Sequence, residues 1–372
     1  MTMTQVSDES LFNKDRIGYR EFAAMILFAI GMKATDTTPS LMYSGAENAS
    51  WMVPLLSFAV LGIPVFLMMK VYHRFPNQHM FEIATHLLGK PISTLLFFCF
   101  LVITFVAIVT DTRSYVDVIG TMYFEKSPML VIYILLMLAL VYGAKKGLEA
   151  IATVAWLTLF YIIITFVGAL LLMIPYLQMG RIFPLFGPGY VTILKESMYH
   201  ISIYGDILVL MFLLPLLKNK REFSRGLYVG FITSGIQIVV FTLFFILLYD
   251  YPSIEKISYP FHESIRFIQI GSFFTNIETL FLPFWLIGTI VRFTIYLYML
   301  GILFGKVFQI QEHEHLFFPL GILIIWIGMI PENSGVNVYL VREQLLRYAS
   351  PFFLLVPMLI WITAAWKGRS AS

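Results

Sequence analysis

Residues 21–39 read EFAAMILFAIGMKATDTTP. An apolar run of membrane type reaches Gly31, meets Met32, Lys33, Ala34, Thr35, Asp36, Thr37 and Thr38, and stops at Pro39. Two ionisable side chains and three threonines inside a membrane-length stretch are costly in hydrocarbon unless they face a cavity or each other. The break is therefore the first candidate for a ligand site, through Gly31, Lys33, Thr35, Asp36 and Thr37.

The rest of the chain places this break in a membrane. Of 372 residues 59% are hydrophobic and only 13% charged, and 35 are Phe; mean hydropathy is +0.82. Such a balance excludes a soluble domain and fits an all-α integral membrane protein. A hydrocarbon core of about 30 Å takes roughly 20 apolar residues per helix. Stretches of that kind predict about ten spans, near 19–45, 50–70, 93–121, 128–143, 148–174, 195–217, 225–249, 273–306, 316–331 and 336–366. Residues 1–18 read as a polar tail without an apolar leader, so the first span is expected to remain in the mature protein. The expected organisation is one transmembrane domain over 19–366, with repeats of about 19–174 and 195–366, and a short tail over 367–372. Lys and Arg are denser in the connections on the side of the termini, which by the positive-inside rule puts both termini in the cytoplasm. Arg342 and Arg347 count with the opposite side in that reading. Cys99 is the only cysteine, so neither a disulfide nor a cysteine metal site can form within the chain.

Halving the chain at five spans puts a second interruption in register with the first. The sixth span reads ESMYHISIYGDILVLMFLLP, with Tyr204, Gly205 and Asp206 inside it and Pro215 near its end. A glycine or proline kink used for packing would explain either break alone. Matched breaks in two halves are the sequence pointer to an inverted-repeat transporter fold with a site near the midplane. Freed N–H groups there suit a carboxylate, and freed carbonyls suit an ammonium or a cation.

Other intramembrane polar residues add candidates. Lys33 and Asp36, three apart, could pair on one helix face or contact a ligand. Thr289, Arg292 and Tyr296 follow i, i+3, i+7 spacing on one face of the eighth span, with Arg292 too deep to snorkel. Arg292 could hold a ligand carboxylate or neutralise Glu278, Asp206 or Asp36. Arg113, in the third span, could pair with Asp117 four residues on or reach the outer interface, where Tyr115 reads as an anchor. No activated nucleophile, paired catalytic carboxylates, P-loop or metal-ligand cluster is visible, so no enzyme activity and no cofactor are expected.

Several junctions carry a resemblance: Arg74-Phe75-Pro76, Leu88-Gly89-Lys90, Tyr142 to Ala152 (YGAKKGLEAIA), Phe183-Pro184-Leu185-Phe186, Lys218 to Phe223 (KNKREF), Ile277-Glu278-Thr279-Leu280-Phe281 and Ile330-Pro331-Glu332-Asn333. Together they resemble the spore germination permease-like proteins, the B subunits of GerA-type germinant receptors. The resemblance implies the amino acid–polyamine–organocation superfamily and a LeuT-like 5+5 inverted repeat with broken helices 1 and 6. It also implies residence in the inner spore membrane and two partners, a membrane A subunit and a lipoprotein C subunit. Beyond these, membrane lipid and a small nutrient, in that family usually an amino acid, are the expected contacts, and nucleic acid is not. Relatives carry a run of the Ile-Gly-Thr-Gly kind in the first break, whereas this chain has Ile30-Gly31-Met32-Lys33. Three functions follow as expectations: a nutrient-sensing receptor subunit, a proton- or sodium-coupled secondary transporter, or a non-binding scaffold or channel-forming subunit.

Overall fold

In the computed structural model, described for residues 17–75, 78–217, 219–254, 256–268 and 277–369, the chain is helical throughout apart from turns and one isolated bridge between Ile17 and Leu217. The N-terminal tail expected over 1–18 lies outside the described residues up to residue 16. So do residues 273–276 of the eighth expected span and 370–372 of the C-terminal tail.

The first span is α1 (Tyr19–Ile26), a π turn (Leu27–Gly31), a 3-10 turn (Met32–Thr35), and then α2 (Thr38–Ala46). Asp36 interrupts them with an extended backbone, φ −101° and ψ −157°. Its carboxylate accepts the Thr38 amide at 2.6 Å, the local bond by which an Asp competes with helix continuation. Pro39 sits in the first turn of α2, where its missing N–H costs nothing. Span two is α3 (Met52–Arg74), followed by the short α4 (Met80–Leu88). Spans three to five are α5 (Lys90–Val118), α6 (Met129–Lys145) and α7 (Gly147–Met173).

The sixth span is broken again: α8 (Tyr190–Tyr199), a 3-10 turn (Ile201–Tyr204), α9 (Asp206–Leu210) and a second 3-10 turn (Met211–Leu216). The two parts meet at 43°. The bend falls at His200, four residues before the expected turn, and Gly205 is itself helical at φ −60° and ψ −25°. Glycine is needed there for a close approach, not for a left-handed backbone: a Cβ would overlap the Phe353 ring. Span seven is α10 (Lys220–Leu248); α11 (Tyr251–Ile254) and α12 (Pro260–Phe267) lie in the connection to span eight, α13 (Ile277–Phe308). Spans nine and ten are α14 (Phe317–Gly328) and α15 (Glu343–Arg369), the latter entered through a π turn, Val336–Arg342.

Six helices are long and apolar enough to cross a membrane, and the bent pair of span six makes a seventh. The broken first span and two shorter apolar helices complete the ten. Their packing repeats between halves. Span one packs on span seven, and its mate, span six, on span two. Span eight packs on spans four and five, and its mate, span three, on spans nine and ten. This exchange is what an inverted repeat requires. Burial separates centre from rim: 78% of the apolar window of span eight is inside the bundle, against 28% for span five. Span eight thus borders the breaks, while the Val154, Leu157, Phe160 and Ile164 side of span five is exposed and suited to lipid.

On the side bearing the termini, two hydrogen bonds tie down the start of span one. Ile17 N donates to Leu216 O at 3.2 Å and Tyr19 N to Glu222 Oε2 at 2.9 Å, tying the start of span one to the end of span six and the start of span seven. Asn219 caps α10 by accepting the Glu222 amide at 2.9 Å.

Gly205→Ala should lower thermal stability by about 1–3 kcal/mol, because Phe353 must leave its place in a packed core. Gly168→Ala, where a Cβ meets nothing within 4 Å, should be neutral or slightly stabilising. Thermal unfolding of both variants in lipid nanodiscs distinguishes close packing from general helix propensity.

Candidate functional site

Breaking a helix in a membrane frees carbonyls that must find other donors. In span one, Gly31 O accepts Gln237 Nε2 at 3.1 Å from span seven, Met32 O accepts Thr35 Oγ1 at 2.8 Å and Tyr115 OH at 3.3 Å from span three, and Ala29 O lies 3.2 Å from Tyr296 OH of span eight. In span six, Tyr199 O accepts Ser350 Oγ at 2.7 Å and Ser350 Oγ accepts Ser202 N at 3.0 Å, both from span ten. Ile203 O accepts Lys33 Nζ at 2.7 Å. The breaks are therefore sockets for side chains from four other spans and, through Lys33, for each other.

Charge is balanced in two groups. In the first, two carboxylates and two guanidiniums close a ring. Asp36 Oδ2 accepts Arg292 Nη1 at 3.0 Å and Arg342 Nη2 at 2.9 Å; Asp111 Oδ2 accepts Arg292 Nη2 at 2.6 Å, and its Oδ1 forms an ion pair with Arg342 Nε at 2.9 Å. All four side chains are at least nine-tenths buried, Arg292 completely. Such a ring is neutral as a whole, which is what makes it tolerable at low dielectric. Arg342 also donates to Thr37 and, at 2.8 Å, to Thr38 Oγ1, and Arg292 Nη1 to Tyr115 OH at 2.6 Å. Tyr115 stacks face to face on Trp285, with ring centroids 4.9 Å apart and an interplanar angle of 3°. Trp285 Nε1 in turn donates to Thr35 Oγ1 at 3.2 Å.

The second group joins the two breaks directly. Lys33 pairs with Asp206, and Tyr296 OH donates to the same Asp206 oxygen at 2.7 Å. Tyr296 lies four residues after Arg292 on α13, so the two groups sit one helical turn apart.

Most of the expected site is thus brought together: Gly31, Lys33, Thr35, Asp36, Thr37, Asp206, Arg292 and Tyr296 line one continuous polar seam. The Lys33–Asp36 pair is corrected: each binds a different span, Lys33 to span six and Asp36 to spans eight and ten. The extended residue Asp36 turns its side chain away from the helix face that i, i+3 spacing assumes. Thr289 spends its hydroxyl on its own helix, at Trp285 O, 2.8 Å. Tyr204 is buried against Phe58 and Phe231, and Gly205 against Phe353. Arg113 stands apart: it pairs with Asp117 at 3.1 Å and donates to Gly328 O at 3.0 Å, holding the end of α14.

Asp111 of span three belongs to the site, and so do Tyr115, which read as an interface anchor, and Arg342, which counted with the opposite side. Arg342 does not lie in a connection; the π turn at 336–342 directs it and Asn337 inward, and Asn337 Nδ2 donates to Thr110 O and Ser114 Oγ, both at 2.9 Å. Parity was the available signal: Asp36, Asp111, Asp117 and Asp206 need four cations, and Lys33, Arg113 and Arg292 supply three.

At the ends of spans three and seven away from the termini, an open cavity of about 490 Å³ is lined by Thr121, Tyr249, Lys256, Tyr259, Glu263 and Arg266 among others. The α12 helix forms part of its wall. His262 on α12 accepts or donates at Tyr123 OH, 2.9 Å, and packs edge-on against Trp285 at 4.5 Å. A continuous path of contacts therefore runs from this wall through Trp285 to Thr35.

Residues 19–336 match the family model described as spore germination protein. The chain belongs to the spore germination protein family. It is 24% identical over 371 residues to spore germination protein KB of Bacillus subtilis (strain 168), covering 96% of each chain. Spore germination protein B2 of the same organism is 22% identical over 334 residues, 87% of this chain and 89% of the relative. Among solved structures, a substrate-bound Na⁺-coupled sialic acid symporter superposes with a TM-score of 0.65 at 10% identity, over 93% of this chain and 79% of the symporter. MhsT in complex with L-phenylalanine gives 0.64 at 15% identity, over 93% and 88%. These likenesses establish the fold, a LeuT-like inverted repeat with broken helices 1 and 6. This member of the family is a multi-pass membrane protein, and its matches are germination proteins and symporters, not enzyme families.

Two outcomes test the site. Arg342→Met leaves two buried carboxylates on one guanidinium and should cost about 3–5 kcal/mol, whereas adding Asp111→Leu restores neutrality and should recover much of it; a double-mutant cycle on unfolding in nanodiscs measures the coupling. Burial lowers the His262 pKa to about 3, so the folded imidazole stays neutral while the unfolded one takes a proton below about pH 6.5. Its contribution is complete above that pH and lost progressively as pH falls toward 3, about 2 kcal/mol by pH 5. His262→Phe should flatten the fall in melting temperature between pH 7 and 5 relative to the parent.

Proposed function

We propose that this chain is the nutrient-sensing membrane subunit of a spore germination receptor. It binds a small nutrient between broken spans one and six and spans three and eight, and passes occupancy to a membrane A subunit and a lipoprotein C subunit. In this reading residues 19–366 form one domain in the inner spore membrane with both termini cytoplasmic, as the excess of basic residues on that side supports. The observation that carries the reading is the pair of neutral charge groups. They join both breaks to spans three, eight and ten, so a ligand that enters the breaks must rearrange contacts on every span it would signal through. Buried polar atoms without a partner among the described residues, Arg292 Nε and Tyr204 OH, offer hydrogen bonds that an entering ligand can complete.

A second reading, coupled transport, draws support from the fold shared with symporters. Flux separates the two: a sensor reconstituted in proteoliposomes binds nutrient without accumulating it, and a transporter accumulates it.

Tyr296→Phe removes one hydroxyl between the breaks and should keep normal protein levels while shifting the nutrient dose–response of germination about tenfold, the effect of one bond to a charged group. Asp206→Asn should shift it at least as far. Unchanged dose–responses in both variants, at parental protein levels, would remove the breaks from the sensing role.

A further inference from the structure

Lys33 uses its charge outside the ring around Asp36. Its ammonium crosses to the second break, where it donates to Ile203 O at 2.7 Å and to the Asp206 carboxylate, which also accepts the Tyr296 hydroxyl at 2.7 Å. Ile203 belongs to the 3-10 turn that follows the 43° bend. A carbonyl at a helix break beside a carboxylate is a donor set suited to a cation or a primary ammonium. Here that set is filled by the chain, and Lys33 is only 5% exposed. The groups that would hold a carboxylate are engaged as well, since Arg292 and Arg342 each bind both Asp36 and Asp111. Lys33, Arg292 and Arg342 pair with Asp36, Asp111 and Asp206, so no charge in the seam is left to pair with either end of a zwitterion.

We infer that Lys33 is a tethered occupant of the ammonium subsite between the two breaks, and that the nutrient of this chain binds there without an ammonium group of its own. The inference rests on the reading that the breaks form the ligand site, and it departs from the amino-acid class that the family resemblance implies. Its physical basis is effective concentration. An ammonium attached to span one needs no translational entropy to enter the gap, so a free amine competes poorly with it.

Lys33→Ala removes the three methylenes and the ammonium beyond Cβ, the size of propylammonium. Purified protein in nanodiscs, melted with and without millimolar propylammonium chloride, is the test. The parent should be unaffected. Lys33→Ala should melt lower and regain about 2–4 °C with propylammonium in a saturable way, and gain nothing from propanol or tetramethylammonium. A folded Lys33→Ala that ignores propylammonium, or a parent that responds equally, overturns the inference. If Lys33→Ala does not accumulate, Lys33→Met combined with Asp206→Asn supplies the reading: folded yield should return once the carboxylate is neutral, and failure to return also overturns it. These measurements need no germination assay, so a loss of the receptor reading and a loss of the Lys33 assignment give different results.

Discussion

A carboxylate held by two guanidiniums inside a membrane is the constraint on which the rest of this structure depends. Asp36 accepts the Thr38 amide at the start of α2, and a buried carboxylate at membrane depth needs cationic partners. Arg292 and Arg342 reach it from spans eight and ten, and Asp111 from span three closes the ring. Four spans from both halves of the chain are thereby held at one point. Removing any one member leaves a net buried charge, so the ring behaves as a unit.

The second constraint is that two interrupted helices expose carbonyls at the same depth. In this protein those carbonyls are met by side chains, Gln237, Tyr115, Ser350, Tyr296 and Lys33. The resulting seam is polar, closed and neutral. A closed neutral seam is a natural two-state element, because a ligand that enters must break a defined set of bonds and the energy of its own contacts must exceed theirs.

The legibility of this site in the sequence varied with the kind of interaction. Lys33, Asp36, Asp206, Arg292 and Tyr296 were readable because charge and hydroxyl in apolar spans are costly wherever they point. Their partners were not. Spacing on an ideal helix paired Lys33 with Asp36, yet the extended backbone at Asp36 separates them. Arg342 read as a residue of a connection because the start of span ten is polar, and only the π turn shows that this polarity faces inward. Gly205 read as a turn residue but serves the approach of Phe353, a neighbour almost 150 positions later in the chain.

What the sequence determined by itself is the membrane class, the number of spans, the two matched breaks and the family, since each follows from local hydropathy, charge and short motifs that do not depend on distant neighbours. Tertiary structure decided which cation meets which carboxylate. Pairing across the bundle is a property of where ten helices cross, and in a medium without water the energy of each charge depends on the partner it finds.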